Sequence, residues 1–283
     1  MRTANSSEHS ITVTIAGTPV IIAPLTQTET AASALGAVNI VASGPSMQDV
    51  DFAPLLPRPT FFVNGSIGLL EQYDFAQVAG YVITDARFIT HQPEMICTHY
   101  RGQPLYATQA VYQAMAKQMP EIIEQYHHAM RLIFAVDRPP SSSALPRYLK
   151  WLQKKPKLAD YQQHRAFIID ARHAPQAIGV SLDVTQGFVE AGTVAYATAQ
   201  LAYTLGASSI HLYGIDLLNS TQPRFYENED NRAPCKLDKA VMERIVPSFQ
   251  LLCARYADNG VCVVNHSPIS KHLFGSYNNQ TLS

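Results

Sequence analysis

The stretch Val38–Gln48 reads VNIVASGPSMQ and carries the strongest structural signal in the chain. Its first half is apolar and rich in β-branched residues, which predicts a central parallel strand buried on both faces. Ser43–Ser46 then predicts a sharp turn, with Pro45 suited to the first position of a following helix. Such a turn can hold a phosphate or ribose, but it lacks the lysine of a Walker loop and the three glycines of a Rossmann fingerprint. We therefore expect a nucleotide that is held in some other way.

Other apolar segments also end in polar residues. TFFV leads into Asn64–Ser66, GYVIT leads into Asp85, SIHLYG ends just before Asp216, and GVCVVN ends just before His266. Ligands of a parallel sheet sit beyond the carboxyl ends of its strands. We therefore expect Ser43–Ser46, Asn64–Ser66 and Asp85 to be neighbours at one edge of a sheet.

The remaining segments complete a Rossmann-like α/β fold. The alanine-rich segment after Gly192 and Thr193 predicts a buried helix that ends at Gly206 and presents free N–H groups to an anion at its start. The other predicted elements are a hairpin over residues 11–22 at the edge of the main sheet, a helix over 104–130, a strand over 131–136 and a helix over about 236–258.

Length and composition favour one domain. The chain has 283 residues, near the upper limit for a single α/β domain, so we expect one domain over 1–283 with an amino-terminal hairpin extension over 1–30. The formal net charge of −1 argues against a dedicated nucleic-acid binder. Four cysteines without a CxxC pair, and no signal peptide, predict reduced thiols in a cytosol. No apolar run approaches the ~20 residues of a transmembrane helix, so any membrane contact is peripheral.

Residues 138–160 form an irregular, proline-rich and basic segment. One interpretation is a solvated helix face; the other is a lid or a docking surface for an anionic membrane or phosphorylated lipid. A second lid is expected around residues 219–234.

Familiar catalytic signatures are missing. There is no HExxH, no GxSxG, no DxD pair after a strand, and no close His and carboxylate pair with metal-ligand spacing. The predicted chemistry is therefore independent of metal and needs no cofactor.

The candidate binding residues each have a functional and a structural interpretation. Ser43–Ser46 is a nucleotide-phosphate turn or an ordinary turn in which Ser46 caps a helix. Asn64 contacts a base or ribose, or forms an Asn-Gly turn without a function. Asp216 binds ribose or is a structural carboxylate held by hydrogen bonds.

The candidate catalytic residues are equally open. Asp85 is a general base or the ion-pair partner of Arg87. In the loop RFYENED, Tyr226 stabilises a departing phosphate and Glu227 deprotonates an acceptor hydroxyl, or the loop is only a solvated acidic segment. His266 is a base, a phosphate partner or a structural histidine. Together the candidates are Ser43, Gly44, Pro45, Ser46, Asn64, Gly65, Ser66, Gly192, Thr193 and Asp216 for binding, and Asp85, Tyr226, Glu227 and His266 for catalysis.

The ordered series SGPS, VNGS, YVITDARF, GFVEAGTVAYATAQLAYTLGASSIHLYGIDL, RFYEN and NHSP resembles the WaaZ (RfaZ) lipopolysaccharide core biosynthesis proteins of Gram-negative bacteria. More distantly, SGPS, the strand ending in Asn64 and LGASSIHLYGID are similar to the bacterial sialyltransferases that use CMP-sialic acid. The resemblance spans roughly residues 38–275, without much of 95–175.

The resemblance implies a sialyltransferase-like glycosyltransferase. It would move 3-deoxy-D-manno-octulosonic acid (Kdo) from CMP-Kdo to the Kdo region of the lipopolysaccharide inner core, on the cytoplasmic face of the inner membrane. A CMP donor has one phosphate, for which a Ser-Gly-Pro-Ser turn suffices. The positions that match are Ser43, Gly44 and Ser46 for the turn that holds CMP, Asn64 for the asparagine after the second strand, Gly192 for the glycine near the phosphate, and Asp216 for the aspartate of the GID strand end.

Two features of the sialyltransferases are not reproduced. Tyr226 matches the second of two tyrosines that assist phosphate departure, but the first falls at Leu218. Their catalytic histidine follows this loop, and this sequence has no histidine between His211 and His266. The base is thus left open among Asp85, Glu227 and His266. The alternative functions are a CMP-sialic-acid-type sialyltransferase, a pterin pyrophosphokinase-like protein that needs ATP and a metal ion, and a non-catalytic nucleotide-binding scaffold of envelope assembly.

Overall fold

The computed structural model describes residues 10–140, 156–217 and 241–274, and a parallel sheet lies at its centre. In chain order the strands are β1 (Ile11–Ile15), β2 (Thr18–Ile22), β3 (Gly36–Val41), β4 (Thr60–Val63), β5 (Val78–Ile83), β6 (Leu105–Ala107), β7 (Met130–Leu132), β8 (Phe167–Asp170), β9 (Ile178–Ser181), β10 (Ala207–Tyr213) and β11 (Cys262–Asn265). Within the described ranges, seven of them form one all-parallel sheet in the order β11-β10-β3-β4-β5-β6-β7. The predicted Rossmann-like α/β class is confirmed.

The order of the strands creates a switch point. From β3 the chain adds β4 to β7 on one side and later adds β10 and β11 on the other. The connections that leave β3 and β10 therefore diverge, and in an open α/β sheet ligands bind beyond the carboxyl ends of the strands at such a point. This is the edge at which the sequence predicts a nucleotide.

Helices cover both faces of the sheet. They are α1 (Gln27–Ala31), α2 (Ala86–His91), α3 (Pro93–His99), α4 (Gln109–Gln118), α5 (Pro120–Tyr126), α6 (Val194–Thr204) and α7 (Val246–Ala257), which continues a π-helical turn at Val241–Ile245. Short 3-10 helices lie at Pro45–Asp49, Asn64–Glu71, His127–Ala129, Leu158–Tyr161, Val184–Gln186 and Lys271–Phe274. Within the described ranges no helix is long and apolar enough to cross a bilayer.

The central strand is buried as predicted, because it faces two separate cores. Val38 and Ile40 are fully buried against α6 and α7 on one face. Val41 is fully buried on the other face, in a core that includes α2 to α5. Small side chains let α6 approach the sheet closely, and the helix stops before Gly206, whose φ of +79° suits glycine. The predicted end of this helix is confirmed.

The predicted helix over 104–130 is wrong in its first part and in its middle. Residues Leu105–Ala107 form β6, which pairs with both β5 and β7 and is buried for that reason. The rest is two helices, because Pro120 lacks the N–H that would continue α4 and instead begins α5. The predicted strand over 131–136 is shorter, since β7 covers only Met130–Leu132.

The amino-terminal hairpin is confirmed, with Ile11 opposite Ile22, but it forms a sheet of its own. The segment that follows it runs beside the edge strand β7, where Pro24 bridges to Leu132. The antiparallel pair β8 and β9 was not predicted. Most of the predicted lid at 138–160 and all of 219–234 lie outside the described residues, as does the start of the predicted helix over 236–258.

Candidate active site

The Ser43–Ser46 turn leaves β3 at the switch point, and its glycine is required by packing. The Gly44 N–H donates to the Gly214 carbonyl at 2.9 Å. A Cβ on Gly44 would lie 2.4 Å from Asp216 Oδ2 and 2.5 Å from the Gly214 carbonyl oxygen. Pro45 begins the following 3-10 helix, as predicted. The turn can therefore be this tight only with glycine at position 44.

Asp216 holds three strand ends together. Its Oδ2 accepts from the Ser46 N–H at 2.7 Å, and its Oδ1 accepts from the Ser46 hydroxyl at 2.7 Å and from the Ser267 hydroxyl. These bonds join the segments that follow β3, β10 and β11. A carboxylate has about four acceptor positions, so the protein itself uses three of them. Asp216 therefore positions the turn, and its contact with a ribose stays a prediction.

Sequence reasoning missed the polar residues that extend this hydrogen-bond network around Asp216. Asn265 accepts from the Ser267 N–H at 3.1 Å and donates to the Ser270 hydroxyl at 3.1 Å. Ser270 in turn donates to the Ile215 carbonyl. All three polar side chains are buried. The NHSP motif and the serine two residues beyond it were the available signal, but only a tertiary contact with the Asp216 segment reveals their role.

Asn64 combines an unusual backbone conformation with a buried polar atom that lacks a partner among the described residues. It follows β4 with a φ of +50°, a conformation that is uncommon for any residue but glycine and that asparagine tolerates best. Its side-chain Oδ1 is buried and has no hydrogen-bond partner among the described residues. A buried acceptor left unpaired costs about 1–3 kcal/mol. Strain and an unpaired oxygen at one position of the sheet edge fit a ligand contact.

The two residues after Asn64 differ from it. Gly65 and Ser66 are buried, and the Ser66 hydroxyl accepts from the Val63 N–H at 2.9 Å and donates to the Val41 carbonyl at 2.6 Å. Ser66 therefore ties the end of β4 to the end of β3. Its hydrogen-bonding capacity is directed into the protein.

Gly192 and Thr193 lie at the amino terminus of α6, on the face of the sheet that carries Val38. Gly192 has a φ of +87°, and the Thr193 side chain makes no capping hydrogen bond to the helix. The first-turn N–H groups therefore receive no side-chain cap from Thr193. This is consistent with the predicted anion contact, which stays a prediction.

Asp85 caps α2 and pairs with Arg87. Its Oδ1 accepts from the Arg87 N–H at 2.9 Å, and its Oδ2 lies 2.5 Å from the guanidinium. Burial raises the pKa of Asp85, but the hydrogen bonds and charge of Arg87 lower it by more, so the pKa lies below its usual range. An ion-paired carboxylate of this kind is a weak proton acceptor. Of its two interpretations, the geometry favours the structural one.

His266 stacks on Tyr213, with ring centroids 4.5 Å apart, and its Nε2 lies 2.9 Å from His211 Nδ1. Burial, and then the positive charge of Arg58, lower the pKa of His266 below its usual range. Tyr213 belongs to the core on the α2 to α5 face, whereas α6 covers the opposite face. The structure thus places His266 beside the hydrogen bond between Ser267 and Asp216, on the face of the sheet opposite the one that carries Gly192.

The two remaining catalytic candidates, Tyr226 and Glu227, lie outside the described residues. Within the described ranges no group of three or more His, Cys, Asp or Glu side chains could hold a metal ion. Cys97, Cys253 and Cys262 are free thiols.

Comparison with known proteins identifies the class of protein to which this fold and site belong. Residues 22–271 match the family model described as 3-deoxy-D-manno-octulosonic acid transferase WaaZ. The chain belongs to this family, and it is a glycosyltransferase of lipopolysaccharide core biosynthesis. The suspected family is confirmed.

Two curated relatives are similar at low identity. Both are named probable 3-deoxy-manno-octulosonic acid transferase. The protein from Escherichia coli K12 is 26% identical over 220 residues, which is 76% of this chain and 72% of that protein. The protein from Salmonella typhimurium LT2 is 24% identical over 222 residues, or 77% and 78%.

Among solved structures, a chain of the sialyltransferase CstII from Campylobacter jejuni, in complex with the substrate analogue cytidine-5'-monophosphate, is similar over 88% of both chains. The sequence identity is 15% and the TM-score is 0.43, so we draw no functional conclusion from this likeness.

Proposed function

We propose that this transferase takes Kdo from CMP-Kdo and adds it to the Kdo region of the lipopolysaccharide inner core. The observation that carries the donor assignment is Asn64, whose strained backbone holds a buried amide oxygen that has no hydrogen-bond partner in the described part of the chain. Such an oxygen accepts a hydrogen bond from a ligand, and the amino group of cytosine or a ribose hydroxyl is a suitable donor. Next to it, the Ser43–Ser46 turn is the proposed phosphate contact.

The proposed reaction is a direct displacement at the anomeric carbon of the donor. A base takes the proton of an acceptor hydroxyl, the hydroxyl oxygen attacks, and CMP leaves with the bonding electrons toward Gly192, Tyr226 and the Ser43 turn. A CMP-activated ulosonic acid carries a good leaving group. Positioning and electrostatics could therefore supply most of the rate without a metal ion. The acceptor is a membrane lipid, so we propose that the enzyme works in peripheral contact with the cytoplasmic face of the inner membrane.

The test is a thermal-shift titration with CMP, UMP, GMP, AMP and ATP, each with and without magnesium. A ligand that binds only the native state raises the melting temperature. A selective, metal-independent rise with CMP is expected, followed by turnover of CMP-Kdo with a Kdo-bearing acceptor. A rise with ATP and magnesium alone would overturn the proposal in favour of a pyrophosphokinase, and turnover of CMP-sialic acid alone would make the protein a sialyltransferase. Binding of CMP without turnover of either donor would favour a non-catalytic nucleotide-binding scaffold.

Asn64→Gly isolates the contribution of the amide, because glycine keeps the φ of +50° without strain. CMP affinity should fall by about tenfold or more, which corresponds to one lost hydrogen bond of about 1.4 kcal/mol. The variant should fold as well as the wild type. Asn64→Gly with unchanged CMP affinity would remove Asn64 from the donor site.

A further inference from the structure

A cavity of about 440 Å³ lies beside the amino terminus of α6 and is not part of the site described above. Its volume falls within the range of about 300–1,000 Å³ that is typical of small-ligand sites. Charged and polar side chains from five separate segments meet in its wall. They are Asp137, Lys157, Gln176, Glu190 and Arg244.

The cavity adjoins the proposed position of the departing CMP. The segment after β7 runs parallel to the segment before α6, with the Phe188 N–H on the Phe134 carbonyl and the Val136 N–H on the Phe188 carbonyl, both at 2.8 Å. Glu190, in the cavity wall, precedes Gly192 by two residues. A molecule in the cavity would therefore lie next to the amino terminus of α6.

Arg244 is suited to bind an anion in this cavity. Arg244 Nη2 donates a hydrogen bond to the Glu190 carbonyl at 2.7 Å, and no other group among the described residues accepts from Arg244. Only one of the five N–H donors of the guanidinium is therefore used within the described residues. Burial lowers the pKa of Arg244, Asp137 opposes this effect and Arg138 adds to it. The guanidinium nevertheless stays charged, because its ordinary pKa is so high. Lys157 adds a second positive charge to the cavity wall.

Asp137 and Glu190 both lie near Arg138, but Arg138 holds Glu190 more closely. Glu190 forms an ion pair with Arg138. Asp137 Oδ1 is buried and has no hydrogen-bond partner among the described residues. Its ion-pair partner among these residues is Arg138, whose Nε lies 3.7 Å away. Asp137 is therefore an available proton acceptor in the cavity wall, whereas Asp85 is held by Arg87.

We infer that this cavity binds the acceptor as an acidic sugar, with Arg244 and Lys157 on its carboxylate and Asp137 as the general base. The inference rests on the proposed transferase function. The acceptor hydroxyl oxygen bonds to the anomeric carbon, the bond from that carbon to the phosphate oxygen breaks, and CMP leaves with the electron pair. The hydroxyl proton passes to the Asp137 carboxylate.

The binding arm uses the full chain, with and without saturating CMP. The probes are the methyl glycoside of Kdo and the same glycoside with its carboxylate methylated to a neutral ester. Wild type should bind the acid about tenfold to a hundredfold more tightly than the ester, as expected for a charge-assisted pair. Arg244→Gln should remove this preference and leave the affinity for CMP unchanged. The matched control is Arg255→Gln on α7, where Arg255 pairs with Asp258 at 3.1 Å, and it should keep the preference.

The kinetic arm uses Asp137→Asn, which preserves the shape of the side chain. It should bind CMP and the acid as wild type does, but its transfer rate should be about 10²–10⁴-fold lower. The wild-type rate should fall at low pH because the base becomes protonated, and this fall should be absent in the variant. An unchanged acid-to-ester ratio in Arg244→Gln would overturn the site, and an unchanged pH profile in Asp137→Asn would overturn the base. Failure of wild type to bind CMP would instead count against the proposed function, because binding of the acid is also measured without nucleotide.

Discussion

Replacing Gly44 with alanine tests whether the strand-end turn is built as the structure shows. The new Cβ would lie 2.4 Å from Asp216 Oδ2 and 2.5 Å from the Gly214 carbonyl oxygen, about 1 Å closer than an ordinary contact. Neither neighbour can retreat easily. Gly214 has a φ of +69° and is itself packed against Ala42, and Asp216 is held by Ser46 and Ser267.

The cost follows from this crowding. Overpacking in a tight region costs about 1–3 kcal/mol, and with backbone on one side and a three-fold hydrogen-bonded carboxylate on the other we expect the upper half of that range. Gly44→Ala should therefore lower the free energy of unfolding by about 2–3 kcal/mol, or the melting temperature by roughly 4–12 °C. CMP affinity should fall by about tenfold or more, because the turn proposed to bind the phosphate must open.

Urea denaturation followed by circular dichroism, together with a CMP titration, measures both effects. Gly68→Ala is the matched control, since its Cβ would meet the flexible end of Met95 at 3.3 Å and His99 Nε2 at 3.5 Å, and it should change stability by less than about 0.5 kcal/mol. A Gly44→Ala protein that unfolds at the wild-type urea concentration and binds CMP normally would refute the described turn.

Two further predictions concern stability. Gln200→Leu should cost about 2–4 kcal/mol in urea denaturation, because the buried amide accepts from the Ser181 and Val189 N–H groups at 2.9 Å, and exposed Gln118→Leu should cost almost nothing. A neutral result for Gln200→Leu would show that this amide is not essential to the fold. Burial lowers the pKa of His211 and of His266, so the unfolded chain binds more protons than the native state. Their stabilising contribution is therefore complete above about pH 6.5 and lost as the pH falls through the folded pKa values, and replacing both with glutamine should flatten the stability profile between about pH 7.5 and pH 5.5. An equally steep profile in that double variant would assign the effect to other groups.

Local signals were sufficient for several elements. The β-branched run at Val38, the turn with Pro45 and the glycine stop at Gly206 were predicted correctly, because each depends on the conformational preferences of a few adjacent residues. The family resemblance was also readable from the ordered motifs alone.

The prediction failed where a short segment depends on its neighbours in the sheet. Leu105–Ala107 has only three residues, too few for its apolar pattern to separate a strand from a helix. Hydrogen bonds from β5 and β7 on its two sides decide the matter. The unpredicted pair β8 and β9 shows the same dependence on long-range pairing.

The candidate site divides in the same way. The sequence by itself determined that polar residues such as Ser46, Asn64 and Asp216 follow buried strands, because strand propensity and turn chemistry are local. Only the tertiary structure decided that Asp216 is bonded to Ser46, 170 positions away, and that Arg244 and Asp137 line the same cavity. Such partners are chosen by the strand order and by packing, which bring distant segments together and leave no periodic or adjacent pattern along the chain.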